Sequence, residues 1–236
     1  MSHNDSRLLL SLDGASCGYG STTVLRDVHL RVREGEAVAL LGSNGAGKST
    51  LLKGIAGLAT LRGPHTLDAT LGYVSQHQDS DPTFPITAAR VVEMGLYSSV
   101  PWWVRAGSMR SYRPRVLEAL ARVGMEEHAS ARLGELSGGQ RQRVFIARAL
   151  VAQPDLVLMD EPFNGLDQSS RRILLDIITG LKEEGVALLV STHDPLLAQR
   201  TCDAGALVVD GRVEVHDTDA AVDRYLEATS VLREGA

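Results

Sequence analysis

The chain has 236 residues, 44% of them apolar and 22% charged, with a formal net charge of -5 and two cysteines. Such a length and apolar share suffice for one large domain with its own core and no disulfide staples. The acidic balance argues against holding polyanions through bulk charge, so no nucleic acid partner is expected. Cys17 and Cys202 fit no CxxC or Cys/His ligand spacing and read as reduced thiols.

Along the chain, the apolar stretch at 8–12 is brief, lacks a basic leader and ends without a small-residue cleavage site, so it reads as a first strand. No apolar run approaches the length of about 18 residues needed to cross a bilayer, and membrane work is expected to fall to a partner. Strands are expected at 28–32 and 37–41, the second running into a glycine-rich loop, with a helix over 50–55. Further strands are expected at 71–74, 156–159, 187–191 and 206–209, and helices at 171–182 and 219–228. Asp210-Gly211 marks a tight hairpin. This alternation predicts an α/β core.

Residues 79–152 lack strand patterns and carry helical periodicity at 88–94, 115–123 and 140–150, which predicts an inserted helical subdomain. Residues 98–114, mixing Pro, Gly, Ser and two Trp, read as an irregular connection. The expected organisation is a single domain over 1–236, its core made of 1–78 and 153–236 and the helical part of 79–152.

Gly42-Ser43-Asn44-Gly45-Ala46-Gly47-Lys48-Ser49-Thr50 satisfies the phosphate-loop pattern between a strand and a helix, the context that pattern requires. Its glycines let backbone N–H groups face phosphate oxygens, Lys48 supplies a point charge to the β- and γ-phosphates, and Ser49 is expected to hold Mg2+. A second phosphate-site element is the apolar run 156–159 followed by Asp160 and Glu161. Asp160 is placed to bind Mg2+ directly or through water, and Glu161 to polarise the attacking water as a general base. Ser137-Gly138-Gly139-Gln140 opens a helical pattern and forms a second anion-binding nest.

Leu136-Ser-Gly-Gly-Gln140 resembles the signature motif of ABC ATPases, and with the phosphate loop before it and Asp160-Glu161 after it the order is similar to that family across essentially the whole chain. The resemblance implies the P-loop NTPase core of the ABC type, ATP and Mg2+ as ligands, and a head-to-tail dimer with a second copy around two ATP molecules. Tyr19 resembles the aromatic residue that stacks on adenine. Gln76 resembles the glutamine that touches Mg2+ and the attacking water, although Ser75 stands where the family usually has Pro. Asp167 resembles the loop residue that crosses the dimer interface, and His193 the switch histidine near the γ-phosphate. The stretch 57–72 is shorter than usual, which implies a trimmed antiparallel β subdomain.

Residues 84–97 resemble the corresponding region in ATPases of zinc and manganese importers, and Phe163 has the flavour of that group. The resemblance implies divalent-metal import through separate permease subunits, served by an extracytoplasmic substrate-binding protein, with this chain on the inner face of the cell membrane. Docking onto the permease is expected over 76–97. The histidines show no metal-ligand spacing, so the subunit itself is not expected to bind the cargo. The same engine on another permease, for an iron chelate or for export, remains the alternative. A soluble ABC ATPase of translation or DNA repair usually carries two ATPase domains or a long coiled-coil insertion, and neither is present.

Overall fold

The computed structural model describes residues 6–76, 84–97 and 109–234. Its centre is a six-stranded sheet in the order β10-β9-β3-β8-β7-β6, made of β3 (Ala37–Leu41), β6 (Leu71–Val74), β7 (Leu156–Asp160), β8 (Ala187–Thr192), β9 (Ala204–Val209) and β10 (Arg212–Asp217). All its pairs are parallel except the β9–β10 hairpin, which turns at Asp210-Gly211. Every residue of β3, β7 and β8 is buried, as strands covered on both faces must be.

The twofold alternation of strand side chains divides those residues between layers. Leu156, Leu158 and Leu189 pack with Leu51 and Leu52 of α1 (Lys48–Ile55) and with a second, antiparallel sheet. Val157, Met159, Leu188 and Val190 face the opposite way, toward the helices. Those helices are α2 (Ala88–Glu93), α3 (Arg113–Ala121), α4 (Gly138–Leu150) and α5 (Gln168–Glu183). A smaller cluster joins Ala39 and Leu41 to α6 (Pro195–Thr201) and to Ala221, Val222 and Tyr225 of α7 (Thr218–Glu234).

The antiparallel sheet consists of β1 (Leu8–Tyr19) and β2 (Thr22–Arg33), 12 residues each, with β4 (Thr60–Arg62) and β5 (His65–Leu67) both paired to β1. β4 and β5, which fall within 57–72, have three residues each. β1 and β2 run far beyond the apolar stretches that announced them. Register shifts at four points let the ladder continue past Asp13 and Gly18, where the apolar alternation lapses.

Between 84 and 152 the described residues hold helices and a single isolated bridge, Thr87 to Arg132. The irregular connection expected at 98–114 falls outside the described residues over 98–108. At its far end the expectation is corrected, because Arg113 and Pro114 open α3. Proline in a first helical turn lacks only an N–H that the helix has no use for, so it starts the helix instead of breaking it.

Candidate nucleotide site

The buried strand β3 ends at Leu41, and the chain turns through residues 42–47 into α1. Gly47 caps α1 at a φ of 109°, and a Cβ there would stand 2.8 Å from Leu25 Cδ2, so only glycine lets the turn lie against β2. No side chain caps α1, and its first N–H groups stay available to an anion, with the helix dipole behind them. Lys48 is 6% exposed, and its ammonium donates to the carbonyls of Gly42 (2.7 Å) and Ser43 (3.1 Å).

β7 delivers two carboxylates to the same edge. Asp160 Oδ1 accepts hydrogen bonds from Ser49 Oγ (3.0 Å) and Ser191 Oγ (2.7 Å). Glu161 leaves the strand at a φ of 48°, a left-handed conformation uncommon for a residue with a Cβ. Its N–H donates to Ser191 Oγ at 2.9 Å, while its carboxylate lies 2.8 Å from His193 Nδ1 and 3.5 Å from Lys48 Nζ. Lys48, Ser49, Asp160, Glu161 and His193 therefore form one connected set. A carboxylate held between an ammonium and an imidazole is suited to orienting water and accepting its proton. The Ser49 hydroxyl and the Asp160 carboxylate are an all-oxygen donor pair beside the phosphate loop, the donor chemistry that fits Mg2+.

Two members of this arrangement went unread in the sequence as site residues. Ser191, fully buried on β8, touches both acids at once; only its position two before His193 hinted at it. Tyr225 on α7 donates its hydroxyl to the backbone carbonyl of His193 at 3.2 Å, and nothing local signals that reach of 32 residues.

The remaining expected positions lie around this set. Tyr19 ends β1 as an exposed residue, open to a stacking partner. Gln76 is exposed two residues beyond β6, whose Val74 pairs with Met159, so it stands at the same strand edge as Asp160. On β6, Tyr73 has a buried hydroxyl without a hydrogen-bond partner among the described residues, and burial, with the nearby Asp160 charge, pushes its pKa up to about 12.

Ser137, Gly138, Gly139, Gln140 and Asp167 form a separate group. Ser137 caps α4 in a reciprocal box with Gln140. A Cβ on Gly139 would come 2.2 Å from Ser170 Oγ, so the turn lies directly against α5. Asp167 caps α5, and hydrogen bonds from the Ser169 hydroxyl and the Ser170 amide hold its carboxyl below the usual range. No hydrogen bond or ion pair among the described residues joins these side chains to Lys48, Asp160, Glu161 or His193.

Residues 25–164 match the family model described as ABC transporter. The chain belongs to the ABC transporter family. This ABC ATPase binds adenine nucleotide and hydrolyses ATP. It is 39% identical over 194 residues to the manganese transport system ATP-binding protein MntB of Halalkalibacterium halodurans, covering 79% of this chain and 77% of that protein. It is 42% identical over 194 residues to the zinc transport system ATP-binding protein TroB of Treponema pallidum, covering 78% and 72% respectively. Among solved structures it resembles a dimeric ATP-binding cassette in a post-hydrolysis state with ADP and Pi. The TM-score is 0.74 at 29% identity, over 89% of this ABC ATPase and 99% of that chain. Among its described residues no helix is long and apolar enough to cross a membrane.

Proposed function

We propose that this chain powers the import of a divalent metal ion, manganese or zinc, through separate membrane permease subunits. The observation that carries the reading is the similarity to manganese and zinc transport ATP-binding proteins over more than three quarters of the chain. A surface suited to the permease lies at 84–97, where Phe84 (62%), Met94 (46%) and Tyr97 (45%) are exposed close together in the sequence. The expected docking segment began at 76, and its residues 77–83 fall outside the described part. Bound there, the chain would sit on the inner face of the cell membrane, and as part of an importer it would serve an extracytoplasmic substrate-binding protein.

The chemistry follows from the site. Tyr19 stacks on adenine, and the N–H groups of residues 42–50 with Lys48 hold the phosphates; Lys48 trades the Gly42 and Ser43 carbonyls for phosphate oxygens. Ser49 and Asp160, with Gln76, would hold Mg2+, which when bound supplies charge neutralisation across the β- and γ-phosphate oxygens. Glu161 orients the attacking water and takes its proton, and His193 holds Glu161 and faces the γ-phosphate. The separation of Ser137–Gly139 from this set within one chain supports a head-to-tail dimer, each copy laying its signature turn over the other's nucleotide, with Asp167 crossing the interface. Loss of the γ-phosphate then removes the contact that favours the closed pair.

Replacement of the chain by its Glu161→Gln variant in the source cell is expected to abolish uptake of radiolabelled manganese or zinc. Unchanged uptake of both metals would remove the metal reading.

A further inference from the structure

At the start of α4 the Gln140 amide donates to Ser137 Oγ over 3.2 Å, and the Ser137 amide donates to Gln140 Oε1 over 2.8 Å. A backbone N–H can only donate, so the atom of the Gln140 side chain that faces Ser137 is its oxygen, and its NH2 group points elsewhere. It points at His128, whose Nε2 lies 3.2 Å from Gln140 Nε2. An amide NH2 has no lone pair to offer, so His128 Nε2 is the acceptor and the proton of the neutral ring sits on Nδ1. That Nδ1 is buried and has no hydrogen-bond partner among the described residues. His128 ends the short 3-10 turn Glu126–His128 and is itself half-buried.

A buried N–H left unpaired is a cost, and an apolar side chain would fill the same space without it. What an apolar residue could not do is accept from Gln140. With that acceptor gone, the carboxamide is free to leave Ser137, and the backbone turn loses the hold on this side. On its other side the turn is already fixed, because Gly139 lies against Ser170.

We propose that His128 is a positioning residue for the signature turn: its Nε2 lone pair keeps the Gln140 side chain in the rotamer that caps Ser137, and so fixes the direction in which the Ser137–Gly139 amides point. The functional consequence, tighter closure over the second copy's nucleotide, rests on the dimer reading above.

The test uses the full chain with His128→Leu and His128→Gln, the glutamine Oε1 reaching the place of His128 Nε2. Nitrogen NMR of the unsubstituted protein is expected to show the Nδ1–H tautomer at His128. Hydrogen exchange at the Ser137 amide should speed up about tenfold in the leucine variant, the equivalent of one lost hydrogen bond, while the β7 amides keep their protection. The glutamine variant should restore it to within about twofold. An Nε2–H tautomer, unchanged exchange in the leucine variant, or a glutamine variant no better than leucine would each overturn the proposal.

A second arm places both substitutions in a Glu161→Gln background and follows ATP-dependent dimerisation by light scattering. Half-assembly should need about tenfold more of the leucine variant, with the ATP affinity of the single chain unchanged. Altered exchange with unaltered assembly would overturn the functional half. If the Glu161→Gln parent does not dimerise with ATP at all, the dimer reading fails, and the exchange measurement alone decides the role of His128.

Discussion

Glu161 is held from three directions: Ser191 takes its backbone N–H, His193 and Lys48 flank its carboxylate, and its φ of 48° is kept in place by those contacts. A non-glycine residue in that region costs on the order of 1–3 kcal/mol, which the surrounding structure must offset. Glu161→Gln keeps the shape and removes the proton acceptor, so kcat for ATP should fall by about 100-fold or more while ATP affinity changes little. Turnover near the unsubstituted rate would end the general-base assignment. Ser191→Ala removes one hydroxyl from both acids and leaves the Glu161 N–H unpaired. Urea unfolding should report a loss of about 1–3 kcal/mol, with turnover lowered alongside it. A variant equally stable and equally active would show that Ser191 holds neither acid. The acids and Lys48 could be read from local pattern, because the phosphate loop and the strand ending in two carboxylates are contiguous. Ser191 could not, because its partners lie 30 and 31 residues away and no spacing rule links them.

At the scale of elements, each of β3 and β6 coincides with the stretch its apolar run announced, since a strand buried on both faces, or nearly so, is apolar from end to end. β1 and β2 were read at less than half their length. The parts that went unread carry Asp13 and Asp27, whose polarity on an exposed sheet face looks like loop, and His29 faces them from the stretch of β2 that was read. Those residues make a cluster of their own, with His29 Nδ1 3.0 Å from Asp13 Oδ1 and Nε2 3.1 Å from Asp27 Oδ1. The Asp27 hydrogen bond, and then that of Asp13, raises the His29 pKa. A raised pKa means that the folded state binds the proton more tightly than the unfolded one. The stabilisation is therefore fully present below the unfolded value of about 6.5 and is lost as pH rises through the folded value. Melting temperatures of the parent and His29→Gln should differ at pH 5.5 and converge by about pH 9. A gap that widens toward alkaline pH would contradict the pairing.

Across the whole molecule, β7 and β8 form a wall shared by the two larger cores, with Leu158 and Leu189 in one and Met159 and Val190 in the other. Leu158 is fully buried, and Leu158→Ala should cost about 2–5 kcal/mol in urea unfolding. A smaller loss, below about 1 kcal/mol, would mean that the layers collapse around the gap. The sheet order and the assignment of strands to separate sheets were not legible, because pairing between distant segments leaves no trace in local periodicity. Helices α2, α3 and α4 were legible for the opposite reason, their patterns being short-range.

The Tyr225 hydroxyl on the His193 carbonyl has a practical side. α7 has the look of a dispensable tail, the segment a protein engineer trims first or replaces with a reporter. Because it reaches back to the histidine that flanks Glu161, shortening the chain to end before residue 225 is expected to slow ATP turnover with the phosphate loop untouched. A tag or fusion placed on this helix would thus bear on the hydrogen bond that ties Tyr225 to the candidate site.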